Sequence, residues 1–361
     1  MTKQSLFGLT LLCIATAGCN QKSTSPVIEP PISGDALATV SPVPIGVAVG
    51  IGQFEAQSSL RYSPQATALQ QTVAREFNLV VAENVMKPQY LHPEENRYFW
   101  DDADYLVNFA KRHGMAIHGH TLVWHQALPA WMQHYSGNWD AMLKEHISTV
   151  VSRYSADIAS WDVVNEAFLD DGTPRDSVWQ QHVPDYIAKA FYYANQSDPD
   201  GEWYYNDYNI EAMPKKLDAV LAMAKGLRQR QIGITGIGFQ MHIDRYWPSL
   251  ESIRTAFEKT VAAGLKVRIS ELDIGMNVNG DEPLLSPQLA AIQQQRYHDI
   301  IATYLQAVPA EYRAGISFWG VSDKYSWVPA YYQHADWPLL FDGNLQRKAA
   351  WQGVYDALRA Q

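Results

Sequence analysis

The chain has 361 residues, 47% apolar and 18% charged, which supplies a large core and excludes global disorder. Its net charge is −10, with 38 acidic against 28 basic residues and no basic cluster. That excludes a nucleic-acid binder, which needs Lys and Arg to neutralise phosphate. The surplus of 12 Trp points towards sugar, since a flat apolar ring matches the C–H face of a pyranose, with about half of them read as core.

The chain opens with Lys3 and the largely apolar run Leu6–Ala15, ending in Thr16-Ala17-Gly18-Cys19. The run is too short to span a bilayer, which takes about 20 apolar residues, and it fits a signal-peptide pattern. Small-small-Gly-Cys resembles the cleavage site of bacterial lipoproteins, although Thr16 stands where Leu is usual. The resemblance implies a leader over 1–18 and a lipid on Cys19. Asn20 rather than Asp follows, which implies the outer membrane of a Gram-negative bacterium. Of the two cysteines, Cys13 would leave with the leader, so the exported part carries no disulfide. Residues 19–42, rich in Ser, Thr and Pro, read as an extended tether. Residues 43–361 read as one domain, expected as a monomer that meets the membrane only through the lipid.

Eight short apolar runs follow: Ile45–Val49, Leu79–Ala82, Met115–His120, Ile158–Val164, Glu202–Tyr205, Ile234–Phe239, Leu265–Ile269 and Ile316–Trp319. Each has the length and residue types of a strand. Amphipathic stretches lie between them, at Tyr98–Arg112, Trp139–Tyr154, Trp179–Asn195, Lys215–Arg230, Pro248–Ala263 and Pro287–Leu305. Eight strands alternating with helices predict a (β/α)8 TIM barrel. An open doubly wound sheet is the alternative, but no Gly-x-Gly-x-x-Gly follows the first strand. Polar residues close the runs: Glu83-Asn84, His120, Asn165-Glu166, Gln240-x-His242, and Glu271 with Asp273. In a barrel these positions gather on one rim, where active sites lie.

Glu166 ends the fourth strand and Glu271 the seventh, so the two carboxylates can converge across the barrel mouth. A carboxylate pair flanking a bond is what glycoside hydrolysis requires, and its separation distinguishes retention from inversion. Two salt-bridged rim glutamates would be the structural alternative. No metal-ligand cluster is apparent, and no cofactor is expected.

The ordered motifs resemble glycoside hydrolase family 10, the endo-β-1,4-xylanases. They are Glu83-Asn84-x-x-Lys87, Gly119-His120-Thr121-Leu122-Val123-Trp124-His125, Trp161–Ala167 and Tyr205-Asn206-Asp207-Tyr208-Asn209. Gly238-Phe239-Gln240-x-His242, Glu271-Leu272-Asp273 and Trp319-Gly320-Val321-Ser322-Asp323-x-x-Ser326-Trp327 complete the set. The resemblance spans about residues 45–358 and implies roles. Glu166 is the expected acid/base and Glu271 the nucleophile, with His242 and Asp273 orienting it. Asn165 would hold the sugar 2-hydroxyl, and His120 would bind the sugar at the cleavage point. Glu83, Asn84 and Lys87 would grip the next sugar on the non-reducing side. Gln240 belongs to the substrate-binding set, and Tyr208 would line the leaving-group side. Trp124, Trp319 and Trp327 would wall the catalytic sugar, tolerating xylose and crowding the exocyclic CH2OH of glucose.

The chain departs from the family at Trp124-His125-Gln126-Ala127-Leu128-Pro129, where Ala127 replaces a sugar-contacting Gln. Gln126, one residue early, is expected to point elsewhere, leaving the glycone contacts weaker or rearranged. His118 stands where Arg is common, and Ala349 where Pro is frequent. Xylan and xylo-oligosaccharides are the expected substrates. Without a separate sugar-binding module in view, soluble oligosaccharides are favoured. A barrel acting on β-1,4-glucan and a sugar-capturing lipoprotein with a dead site are the competing readings.

Overall fold

The computed structural model describes residues 35–360; the expected leader, Cys19 and most of the tether lie outside them. Eight strands alternate with helices: β1 (Ile45–Val49), β2 (Leu79–Ala82), β3 (Ala116–Gly119), β4 (Ser160–Asn165), β5 (Glu202–Asp207), β6 (Gly236–Phe239), β7 (Lys266–Gly275) and β8 (Arg313–Phe318). Successive strands pair in parallel, and β8 returns to β1 with Ile316 beside Ile45. The sheet therefore closes into a (β/α)8 barrel. A short strand, His242–Asp244, pairs with the late part of β7, placing His242 beside Asp273.

The strands are buried almost throughout. Helices cover the outside and side chains fill the inside, so both strand faces are apolar and the runs were continuous in the sequence. Ala48, Leu79, Val81 and Trp319 pack together, with Trp327 against them. The barrel also holds a polar group: Asp162 lies 3.0 Å from His118 Nε2 and 2.9 Å from His120 Nδ1, and His118 Nδ1 meets Ser160 Oγ at 2.7 Å. His118, at the position where Arg is common, is thus spent on the interior. Asn138, Ser249 and Ser286 cap their helices by accepting from the N–H of Ala141, Ser252 and Leu289.

Two features differ from the sequence reading. The stretch expected as one helix at Trp179–Asn195 is two, Val178–His182 and Tyr186–Ser197. Pro184 cannot donate a helical hydrogen bond and holds Val183 extended (φ −122, ψ 94). The tether ends before residue 42: Leu37–Val40 is helical, and Leu37 is fully buried in the main core, because its apolar side chain packs against the final helix, Ala349–Arg359. The packed domain thus begins near Ala36.

The final helix and the helix Ala66–Glu76 were not named from the sequence; a buried carboxylate joins them. Glu76 Oε1 accepts from Arg75 Nε (2.9 Å) and Arg347 Nη2 (2.7 Å), and Oε2 from Trp351 Nε1 (3.0 Å). This clasp links an early helix to the last one and helps to close the outer ring. Breaking a buried pair leaves partners uncompensated. Glu76→Ala is expected to lower the unfolding free energy by about 3 kcal/mol, measured by denaturant titration, with activity at low temperature retained.

Candidate active site

The carboxyl ends of the strands bring the polar residues together in a cleft of ≈ 540 Å³. Lys87, His120, Trp124, Asn165, Glu166, Tyr208, Gln240, His242, Glu271, Trp319 and Trp327 line it. Glu83, Asn84 and Asp273 do not line it, but Asn84 meets Lys87 and Asp273 meets His242.

Glu271 is buried on β7. Its Oε1 accepts from Asn206 Nδ2 (2.7 Å), and its Oε2 lies 3.2 Å from His242 Nε2. His242 Nδ1 is 3.0 Å from Asp273 Oδ2, which also accepts from Trp327 Nε1 at 2.7 Å. Burial would discharge the imidazole, but Asp273 and then Glu271 push His242 up to about 10. It is therefore an imidazolium donating from both nitrogens. Burial likewise pushes the Glu271 carboxyl up, and the His242 hydrogen bond with the charges of His120, His242 and Lys87 outweighs it, leaving Glu271 below the ordinary range. Glu271 is held ionised and aimed.

Glu166 directly follows β4 with a left-handed backbone, φ 56. Such a conformation costs about 1–3 kcal/mol outside glycine, and its neighbours over-determine it. Its N–H donates to Asn206 O (2.9 Å), its carbonyl accepts from Arg175 Nε (2.8 Å), and the next N–H, of Ala167, donates to Tyr205 Oη (2.8 Å). The side chain turns into the cleft, where Oε2 accepts from Trp124 Nε1 (2.9 Å) and Oε1 from Gln240 Nε2 (3.0 Å). His125 Nδ1 lies 4.0 Å from Oε2.

Asn165, Asn206 and Gln240 join the two glutamates. Ser270 Oγ donates to Asn206 Oδ1 (2.6 Å), which fixes that amide so that its Nδ2 faces Glu271 and, at 2.9 Å, Asn165. Gln240 Nε2 lies 3.3 Å from Asn165. His120 stands edge-on to Trp319 at 5.3 Å between ring centroids, and Trp327 similarly to His242 at 5.0 Å. Tyr208 accepts from Arg175 Nη2 (2.7 Å), and its ring lies 3.5 Å from the Lys216 ammonium.

On the other side, Lys87 Nζ donates to Asn84 Oδ1 (3.1 Å) and lies 4.9 Å from the Trp124 ring. Burial draws the Lys87 ammonium below its usual range, against the pull of Glu271, Glu83 and Glu166. Burial and the charge of Glu55 push Glu83 up to about 7. Gln126 does not point away: it lines the cleft, with Nε2 3.2 Å from His125 Nε2. The next residue, Ala127, has a left-handed backbone, φ 48.

Sequence reasoning assigned no role to Asn206, Arg175 or Glu55. Asn206 stood inside a quoted motif, and its Asn-Asp pair at the end of a buried strand was the available signal. Arg175 lies on a loop with no pattern to mark it.

Comparison with known proteins places this geometry. The model of glycosyl hydrolase family 10 matches residues 43–357. Endo-1,4-beta-xylanase A of Cellvibrio japonicus is 37% identical over 353 residues, covering 90% of this chain. The chain spans 57% of the length of that relative. Endo-1,4-beta-xylanase B of Thermotoga neapolitana is 37% identical over 84% of this chain and 87% of its own length. Among solved structures, a mutant Xylanase10C from Cellvibrio japonicus in complex with xylopentaose superposes with a TM-score of 0.85 at 36% identity, covering 91% of this chain and 70% of that one. Xylanase 10B from Thermotoga petrophila in complex with xylobiose gives 0.82 at 34%, covering 91% and 98%.

Replacing the imidazolium by a neutral amide removes the charge that keeps Glu271 ionised at low pH. His242→Gln is expected to move the acid limb of kcat/KM towards higher pH by roughly one to two units, read from a pH–rate profile. An unmoved limb would leave His242 with a packing role only.

Proposed function

This chain belongs to glycosyl hydrolase family 10, and from that premise we propose that it is a retaining endo-β-1,4-xylanase with Glu166 as acid/base and Glu271 as nucleophile. The observation that carries the reading is the difference between the two glutamates of one cleft. Glu271 is buried against an imidazolium, whereas Glu166 is held by neutral donors, the indole of Trp124 and the amide of Gln240. One environment aims a carboxylate held against a cation, and the other presents a second carboxyl to the cleft without a charged hydrogen-bond partner.

Glu271 attacks the anomeric carbon while Glu166 gives its proton to the departing glycosidic oxygen, so the C–O bond breaks and a glycosyl ester forms. Glu166, now ionised, takes a proton from water. The water oxygen attacks the anomeric carbon, and Glu271 leaves as carboxylate. Two inversions return the original β configuration. Asn165 faces the 2-hydroxyl, where a hydrogen bond strengthens as the ring gains positive charge. Trp124, Trp319 and Trp327 crowd the space that a glucose CH2OH would need, which favours xylose. Relatives named as endo-1,4-beta-xylanases, and related structures holding xylopentaose and xylobiose, support xylan as the substrate class.

The reading extends to an outer-membrane lipoprotein, lipid-held at Cys19 and acting as a monomer on soluble xylo-oligosaccharides. A lipid-held catalytic domain reaches dissolved fragments more readily than a solid wall. The supporting observations are the Gly18-Cys19 junction and the Ser/Thr/Pro-rich segment after it.

An NMR time course on xylotetraose is expected to show β-anomeric xylobiose first, with Glu271→Ala slower by at least about 10⁴-fold and insoluble xylan turned over less efficiently than the oligomer. Initial α-anomer would exclude double displacement. In cells, Cys19→Ala is expected to move the protein from the membrane fraction to the soluble exported fraction. An unchanged distribution would exclude the lipid anchor.

A further inference from the structure

A chain of polar contacts runs outward from the cleft wall at Lys87. Lys87 Nζ donates to Asn84 Oδ1 (3.1 Å), and Asn84 Nδ2 donates to Glu55 Oε2 (2.8 Å). Glu55 Oε1 accepts from the N–H groups of Ile51 (2.6 Å) and Gly52 (3.0 Å), fixing the turn Gln53–Glu55 that follows β1. At the end of that chain lies Phe54, 51% exposed. Its ring stacks on Tyr90, with centroids 3.9 Å apart and planes 4° from parallel. Tyr90 is half-buried one turn beyond Lys87, its N–H bonded to Lys87 O at 3.0 Å.

Two further features show that the ring is deliberately placed. A Cβ at Gly52 would come within 2.3 Å of Phe54 Cε1, so a glycine makes room for it. The turn beneath is locked by a carboxylate that also holds Asn84, one of the sugar-gripping residues. An apolar ring kept rigid and half in water, beside hydrogen-bonding groups at a sugar cleft, has the properties of a stacking surface for a pyranose.

We propose that Phe54, laid on Tyr90, is a sugar-stacking subsite on the glycone side, one sugar beyond the unit gripped by Glu83, Asn84 and Lys87. The inference rests on the xylan-directed reading above and adds a determinant of chain-length preference. The ligand is a neutral β-1,4-linked xylose unit, engaged through its C–H face, with Glu55 nearby to accept from a hydroxyl.

Aryl β-xylobioside and aryl β-xylotrioside carry the same leaving group and differ by the one sugar in question. The unmodified enzyme is expected to cleave the trioside with the higher kcat/KM. Phe54→Ala should lower kcat/KM on the trioside by roughly three- to tenfold and leave the bioside unchanged, while Phe54→Tyr retains the trioside rate. An equal fall on both substrates, which a disturbed turn would produce, overturns the proposal, as does no change on either. If the unmodified enzyme cleaves neither compound, the xylan reading itself fails, and the subsite with it.

Discussion

The site is organised around one buried cation. His242 lies between Glu271 and Asp273, and neither carboxylate would be comfortable so deep without it. Burial alone would discharge His242 and push the Glu271 carboxyl up; facing each other they keep opposite charges. The arrangement holds because the remaining oxygen atoms are also satisfied, by Asn206 on one side and Trp327 on the other. The short strand brings His242 beside Asp273, and its pairing with β7 fixes the imidazole relative to Glu271.

Backbone geometry provides the complementary constraint at Glu166. The left-handed conformation turns its carboxyl off the β4 direction and into the cleft, and Asn206, Tyr205 and Arg175 hold the turn from three sides. β5 thus supports both catalytic candidates, through the Asn206 carbonyl to Glu166 and the Asn206 amide to Glu271. Tyr205 in turn bonds Asp207 at 2.5 Å, and Asp207 is paired with the buried Lys216 at 2.9 Å. A strand that contributes no acid or nucleophile is the frame for both.

Much of this was legible in the sequence for a physical reason. Barrel strands are buried on two faces, so they appear as unbroken apolar runs, and the polar residues that end them stand out. Glu166, Glu271 and His242 were visible in that way, as was Trp319 at the end of the eighth run, whereas Trp124 and Trp327 were named through the motifs that hold them. Asn206 was not, because a donor's target depends on which strand lies alongside. Arg175 and Glu55 sit on loops, where spacing carries no geometric information. The helix broken at Pro184 was misread because periodicity outweighed one residue. Leu37 was absorbed into a Ser/Pro-rich stretch whose composition concealed one buried side chain. Gln126 was misjudged because the direction of a loop side chain is set by local backbone geometry, which a sequence pattern does not reveal.

Trp327 serves two ends at once. Its ring lines the cleft, and its indole N–H donates to Asp273, two contacts from Glu271. The shape of the cleft and the charge network behind it are therefore coupled through one side chain. An engineer who trims Trp327 to widen the cleft would also free Asp273, which anchors His242, and so disturb the cation held beside Glu271. Trp319, which borders the same space and meets His120 edge-on, offers the more separable handle for redesign.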